Sequence, residues 1–213
     1  MKILGLTGSI GMGKSTLARM AGRMRIPVFD ADAAVHHLLA KGGRAVGPVA
    51  ALFPDALTDG AIDRKILGRL VFGQSDRLQA LEAVLHPMVH QDRDRFLARQ
   101  RRSGKELAIL DVPLLLEKDG WKKCDRVMVV TAPAFVQAAR VLRRPGMDQA
   151  RLANIRKAQM PEQTKRRLAD FVIHTGLNKG STLRMALRAV TLTKISVGKA
   201  RCVKLSWIRK QLV

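Results

Sequence analysis

Ile3-Leu4-Gly5-Leu6-Thr7-Gly8-Ser9-Ile10-Gly11-Met12-Gly13-Lys14-Ser15 decides how this chain is read. Ile3 to Thr7 is a short apolar run that meets glycine at once, as a buried parallel strand does. Gly8 to Ser15 matches GxxxxGK[ST], and the residues from Ser15 onward read as a helix, with Leu17, Ala18, Met20 and Ala21 between basic positions. Strand, glycine loop and helix in that order make a phosphate loop. The glycines let the backbone curl until successive N–H groups point at phosphate oxygens. The helix start adds partial positive charge. Lys14 is placed to reach the β- and γ-phosphates, and the Ser15 hydroxyl to ligate Mg²⁺. The motif predicts nucleotide phosphate binding; alone it does not separate a kinase from a GTPase or an ATP-driven motor.

Further short apolar runs follow at Ile26–Phe29, Leu107–Leu110, Arg126–Thr131 and Phe171–Ile173, with helical patterns between them. Strands alternating with helices predict a parallel α/β sheet. The stretch between the second and third strands reads as mostly helical. Leu78, Leu81, Leu85 and Met88-Val89 have the spacing of one buried helix face. His86-Pro87 predicts a kink or break there, because proline disfavours helix in the residue before it.

Ligands in open α/β sheets bind beyond the C-terminal strand ends. Asp30 and Asp32 follow the second strand, and Asp111 ends the third. In an extended Asp30-Ala31-Asp32, both carboxylates point to one side. One can then take a proton from a substrate hydroxyl or orient Mg²⁺ through water. The competing reading is a helix cap ahead of Ala33-Ala34-Val35. Asp111, in Asp-Val-Pro-Leu-Leu-Leu-Glu, resembles the acid that serves Mg²⁺ in phosphate-loop proteins.

Among 213 residues, 39 are Lys or Arg and 17 are Asp or Glu, a formal charge of +22. Such a surplus implies anionic partners. The chain has no Tyr to stack on bases, which argues mildly against single-stranded nucleic acid. Residues 140–167 carry nine Lys/Arg against Asp148 and Glu162, and residues 194–213 carry six with no acid. Cys124 and Cys202 stand apart, outside any metal-binding or disulfide pattern. No apolar run reaches the roughly 18 residues of a membrane span. A cytoplasmic protein of undetermined oligomeric state is expected, with no membrane partner.

Several motifs together are more specific than the loop. They are Pro27-Val28-Phe29-Asp30-Ala31-Asp32, Asp59-Gly60-Ala61-Ile62-Asp63-Arg64, Val71-Phe72, Leu81-Glu82-Ala83-Val84-Leu85-His86-Pro87, Asp111-Val112-Pro113-Leu114-Leu115, Gln159-Met160-Pro161 and Ala169-Asp170-Phe171-Val172-Ile173. In this order, across about residues 1–190, the chain resembles the dephospho-CoA kinase family. The resemblance implies an α/β phosphate-loop NTPase three-layer fold like that of nucleoside-monophosphate kinases. It implies a parallel five-stranded sheet, a helical CoA-binding insertion at about 55–104 and a lid at about 140–167. The implied domain covers 1–193, followed by a basic tail. The implied reaction moves the ATP γ-phosphoryl group to the ribose 3′-hydroxyl of dephospho-CoA, completing coenzyme A.

On that pattern Asp32 is the general base at the acceptor. Gly8, Ser9, Ile10, Gly11, Met12, Gly13, Lys14, Ser15 and Thr16 hold ATP, with Ser15 on Mg²⁺ and Asp111 reaching it through water. Arg140 and Arg144 are lid arginines near the phosphates. His86, Asp111 and Leu114 face the acceptor. His36, Leu116, Asn154 and His174 depart from the residues common in the family. Two other readings stay open from the residues alone: a phosphate-loop kinase for a nucleoside or sugar, and a basic nucleic-acid-binding ATPase.

Overall fold

At the centre of the main sheet lies β1, Lys2–Thr7, whose Leu4 and Leu6 are both 0% exposed. The structure is a computed structural model describing residues 1–118, 120–176 and 178–196. Four more strands complete the sheet: β2 (Val28–Asp30), β5 (Leu107–Asp111), β6 (Arg126–Thr131) and β7 (Phe171–His174). Their order is β2-β5-β1-β6-β7, and β1 runs parallel to β5 and to β6, as β6 does to β7. Parallel strands covered on both faces need apolar side chains at every position. Accordingly, all five residues of β5 are buried, Asp111 included.

Helices cover this sheet, and the chain forms two compact units. The first unit, Met1–Phe29 with residues from Gln100 onward, holds the sheet. It carries α1 (Lys14–Arg23), α6 (Ala134–Leu142), α7 (Gln149–Ala158), α8 (Glu162–Leu168) and α9 (Lys179–Ile195). Its core joins Leu4, Leu6 and Met128 of the sheet to Leu17 of α1 and Ala189 of α9. Burying one such aliphatic side chain contributes about 1.5–3 kcal/mol. Because α9 ends at Ile195, the helix continues past the expected boundary at 193; the rest of the basic tail, residues 197–213, lies outside the described residues.

The second unit, Asp30–Arg99, is helical. It contains α2 (Ala31–Leu39), α3 (Val46–Leu52), α4 (Arg64–Val71) and most of α5 (Ser75–Arg102). A hairpin, β3 (Leu57–Thr58) with β4 (Ala61–Ile62), turns through Asp59 and Gly60 at φ 49 and 78, the left-handed pair of a type I′ turn. Leu38, Val49, Phe53, Leu67, Leu81 and Leu85 share this unit's core. Asp63 caps α4 by accepting from Lys65 N and Ile66 N; the Ile66 bond, then the Lys65 bond, hold its carboxyl below the usual carboxylate range.

Two expectations about α5 need correction. The helix runs through His86-Pro87 without ending. Proline removes one intrahelical donor, but Leu81 and Leu85 on the preceding turn are each 8% exposed and anchor the helix in the unit's core. Leu78 is not on the buried face; it is 43% exposed, while Met88 and Val89 pack partly against the core.

Gly5 is where β1 has no room for a side chain. A Cβ there would lie 2.5 Å from Leu115 Cδ2 and 2.8 Å from the buried Cys124 Sγ. Gly5→Ala should cost about 1–3 kcal/mol in urea denaturation, the usual penalty of overpacking. Gly5→Ala/Leu115→Ala should be less destabilised than the sum of the single variants; strict additivity would show that this contact does not limit the strand.

Candidate active site

Beyond the C-terminal end of β1 the chain turns through the phosphate loop into α1. Gly8 fits because a Cβ there would lie 2.3 Å from Val130 Cγ2 and 2.8 Å from the Val130 carbonyl oxygen. Gly11 and Gly13 take φ 75 and 93, a region closed to most side chains. Gly13 is the N-cap of α1 and no side chain caps that helix, so its first turn offers N–H groups to an anion.

The three loop carbonyls before Gly13 are all held. Ile10 O accepts from Gln137 Nε2 at 2.8 Å. Gly11 O accepts from Arg140 Nη1 at 3.4 Å. Met12 O accepts from the Thr175 hydroxyl. Gln137 and Arg140 come from α6, and Thr175 follows β7 directly. The loop is also held by its N–H and side-chain groups. Ile10 N donates to Gln159 Oε1 at 3.1 Å, Ser9 Oγ to Glu162 Oε2 at 3.3 Å, and Ala132 N to Met12 Sδ at 3.1 Å. Carbonyls committed to neighbouring elements leave the loop's remaining N–H groups to face the ligand.

Lys14 Nζ lies 2.6 Å from Asp111 Oδ1, and the two side chains are 15% and 2% exposed. The β1–β5 ladder, in which Leu6 pairs with Asp111, sets this distance by fixing the register of the strands. A carboxylate buried beside a phosphate site would repel a triphosphate, and the ammonium offsets that charge. Ser15 is exposed at the start of α1, followed by Thr16.

The remaining expected residues fall as follows. Leu114 is half-buried in the turns after β5, where its carbonyl accepts from Lys118 N at 3.1 Å. Arg140 braces the loop's outer side, with Nη2 also donating to Thr175 O at 2.7 Å. Arg144 is exposed just beyond α6. Asp32 and His86 belong to the second unit. Asp30-Ala31-Asp32 is not extended, which corrects the expected geometry. Asp30 is the N-cap of α2, its Oδ1 accepting from Ala33 N at 3.0 Å, and Asp32 lies exposed in the helix's first turn. The cap forms because a short carboxylate ahead of Ala33 reaches that orphan N–H. His86 is exposed on α5, its ring stacked with His90 at 6.2 Å between centroids. At the departure from the family pattern, His36 Nδ1 lies 2.9 Å from Arg64 Nη1.

Sequence reading missed the groups that brace the loop from behind. Lys165, 0% exposed in α8, lies 2.8 Å from Glu117 Oε1 in an ion contact whose angles fall outside hydrogen bonding. The same oxygen accepts from Met160 N at 3.2 Å. Residues 159–165 are thereby tied to the phosphate loop through Gln159 and Glu162, and to the turn after β5 through Met160 and Lys165. Glu117 closes the Asp-Val-Pro-Leu-Leu-Leu-Glu motif, and Gln159-Met160 opens another; those motifs were the available signal.

A central parallel strand running into a glycine phosphate loop, with a lysine paired to the acid of the neighbouring strand, defines a phosphate-loop nucleotide-binding protein of the three-layer α/β class. A Bacteroides thetaiotaomicron shikimate kinase shares this fold at TM-score 0.51 and 13% identity, covering 91% of this chain and 99% of its own. A Thermus thermophilus protein of solved structure superposes at TM-score 0.80 with 36% identity, over 92% of this chain and 98% of its own. The sequence pattern of the dephospho-CoA kinase family matches residues 2–182. The Rhodospirillum rubrum dephospho-CoA kinase is 54% identical over 202 residues, 93% of this chain and 95% of that protein. The Paramagnetospirillum magneticum dephospho-CoA kinase is 57% identical over 166 residues, 78% of each. The chain belongs to the dephospho-CoA kinase family.

The Lys165–Glu117 pair should matter to stability through its burial. Lys165→Met leaves a partly buried carboxylate without its counter-charge, and should cost about 3–5 kcal/mol by urea denaturation. Adding Glu117→Gln removes that orphan charge and should recover part of the loss. A double variant less stable than Lys165→Met would show that the carboxylate does not depend on the ammonium.

Proposed function

We propose that the chain performs its family's reaction with Asp32 as the base at the acceptor and the phosphate loop as the ATP site. The reaction is ATP-dependent phosphorylation of dephospho-CoA at the ribose 3′-hydroxyl, the last step of coenzyme A synthesis. The observation that carries the ATP assignment is the loop itself, with three successive carbonyls committed elsewhere and an uncapped helix behind it.

Lys14 then meets the β- and γ-phosphates as charge develops in transfer, while its pairing with Asp111 keeps it oriented beforehand. The donors fit a Mg²⁺ ion held mainly by nucleotide phosphates. Ser15 offers a hydroxyl and Asp111 a carboxylate, and the described residues hold no cluster of three ligating side chains. Bound there, the ion would neutralise phosphate charge. Arg140 supports the loop, and the exposed Arg144 is the lid cation free to approach a bound triphosphate. His86 and Leu114 are assigned to the acceptor side, and the helical second unit to CoA binding. A cytoplasmic setting belongs to this reading; among the described residues no helix is long and apolar enough to cross a membrane.

A ribose hydroxyl attacks slowly until its proton can leave, and a nearby carboxylate takes that proton as the bond forms. Exposure at the start of α2 leaves Asp32 accessible to an acceptor, while Asp30 is engaged as the cap. With Mg-ATP and dephospho-CoA, the wild-type protein should give coenzyme A, identified by product mass. Asp32→Asn should lower single-turnover transfer by about 10²–10⁴-fold, with ATP binding nearly unchanged. Near-normal transfer in a folded Asp32→Asn protein would remove Asp32 from the role. Arg144→Ala should lower turnover more than it raises the dephospho-CoA KM, because its charge acts on the transferring group. A change confined to that KM would make Arg144 an acceptor contact instead.

A further inference from the structure

Gln137 of α6 is 3% exposed and uses both ends of its amide. Its Nε2 donates to Ile10 O at 2.8 Å. Its Oε1 accepts from Arg156 Nε at 3.0 Å and from Arg156 Nη2 at 2.7 Å. Arg156 is on α7, a different helix. A side-chain amide can turn over and exchange its donor for its acceptor, and only its neighbours decide which way it lies. Arginine offers donors alone. Two N–H groups from Arg156 therefore require Oε1 on their side, which leaves Nε2 facing the loop. Reversed, the amide would set an acceptor against the Ile10 carbonyl.

Ile10 is held on both sides by glutamine side chains from outside the loop, since its N–H donates to Gln159 Oε1 at 3.1 Å. Gly11, next in the chain, takes φ 75, so a rotated Ile10 peptide would re-aim the N–H groups that follow. Of the three held carbonyls, Ile10 O is the one whose donor depends on a helix beyond α6. Arg140 meets Gly11 O from α6 itself, and Thr175 meets Met12 O from the end of β7.

We propose that Arg156 and Gln137 form a positioning pair, in which Arg156 fixes the direction of the Gln137 amide and the amide fixes the phosphate loop for ATP. Arg156 acts here through Gln137 and the loop, which separates it from Arg144, the cation assigned to the transferring group. The proposal rests on the loop being the ATP site. Its test therefore reads coupling between two residues in an active enzyme.

The experiment is steady-state kinetics on the full chain with Mg-ATP varied at saturating dephospho-CoA, for Arg156→Ala, Gln137→Ala, the double variant and Arg156→Lys, with thermal melting of each. Arg156→Ala should lower kcat/KM for ATP about ten-fold, on the scale of a lost hydrogen bond to a charged group. Its melting temperature should stay within a few degrees of wild type, as for a surface substitution. In the Gln137→Ala background, Arg156→Ala should change kcat/KM by less than about two-fold, because its target is gone. Arg156→Lys, still a donor to Oε1, should recover most of the loss. If Gln137→Ala fails to fold, Gln137→Leu fills the same space and replaces it in the cycle. An equal loss from Arg156→Ala in both backgrounds would overturn the proposal and make Arg156 an independent contact. So would an unchanged kcat/KM in Arg156→Ala, or a loss that follows the melting temperature. Absence of any dephospho-CoA phosphorylation by the wild-type chain would instead sink the functional reading beneath it.

Discussion

A backbone loop that binds phosphate through its N–H groups must dispose of its carbonyl oxygens, and this constraint organises the first unit. Each peptide carries both a donor and an acceptor, and turning one inward turns the other out. Here the carbonyls of Ile10, Gly11 and Met12 meet Gln137, Arg140 and Thr175. The sheet is what brings those donors together. β6 leads into α6, which supplies Gln137 and Arg140, and β7 pairs with β6 so that Thr175 follows it beside the loop. Glycine at 11 and 13 then becomes a consequence of the curl.

Charge is managed locally within a strongly basic chain. Asp111 is 1% exposed at the end of β5 and is met by Lys14. Behind the loop, fully buried Lys165 meets Glu117, which also takes the Met160 N–H. Ion pairs of this kind stabilise weakly once desolvation is counted, but losing one member is costly. Their effect is to fix position: residues 159–165 are held between the phosphate loop and the turn after β5. Of the nine cations in residues 140–167, Arg140, Arg156 and Lys165 are thus engaged within the protein. Membership of the dephospho-CoA kinase family gives this architecture its reaction.

The sheet and the loop were legible because their signals are local. The first three apolar runs ended at glycine or aspartate, and the glycine spacing reported a turn that few other sequences can make. The Asp30 cap was visible as an alternative, but an Asp-x-Asp pattern does not say whether its backbone is extended or already helical; the bond to Ala33 N decides. Proline inside α5 misled, since packing of Leu81 and Leu85 outweighs one absent backbone bond. The least legible part was the bracing of the loop. Gln137 to Ile10 spans 127 positions, and Met160 to Glu117 spans 43. No local periodicity encodes such pairs. A glutamine in a helix carries no mark of the carbonyl it will meet.

If the bracing is intrinsic, the loop has its binding shape before any nucleotide arrives, and electrostatic preorganisation of this kind lowers a transfer barrier without reorganisation at the moment of reaction. Amide hydrogen exchange followed by NMR in the nucleotide-free protein tests this most directly. The account predicts slow exchange at Ile10 N–H, which is bonded to Gln159, with protection at Gly13 and Ser15 gained only when an ATP analogue binds. Rapid exchange at Ile10 in the free protein, becoming slow together with Gly13 and Ser15 on nucleotide addition, would contradict it and show that the ligand builds the loop.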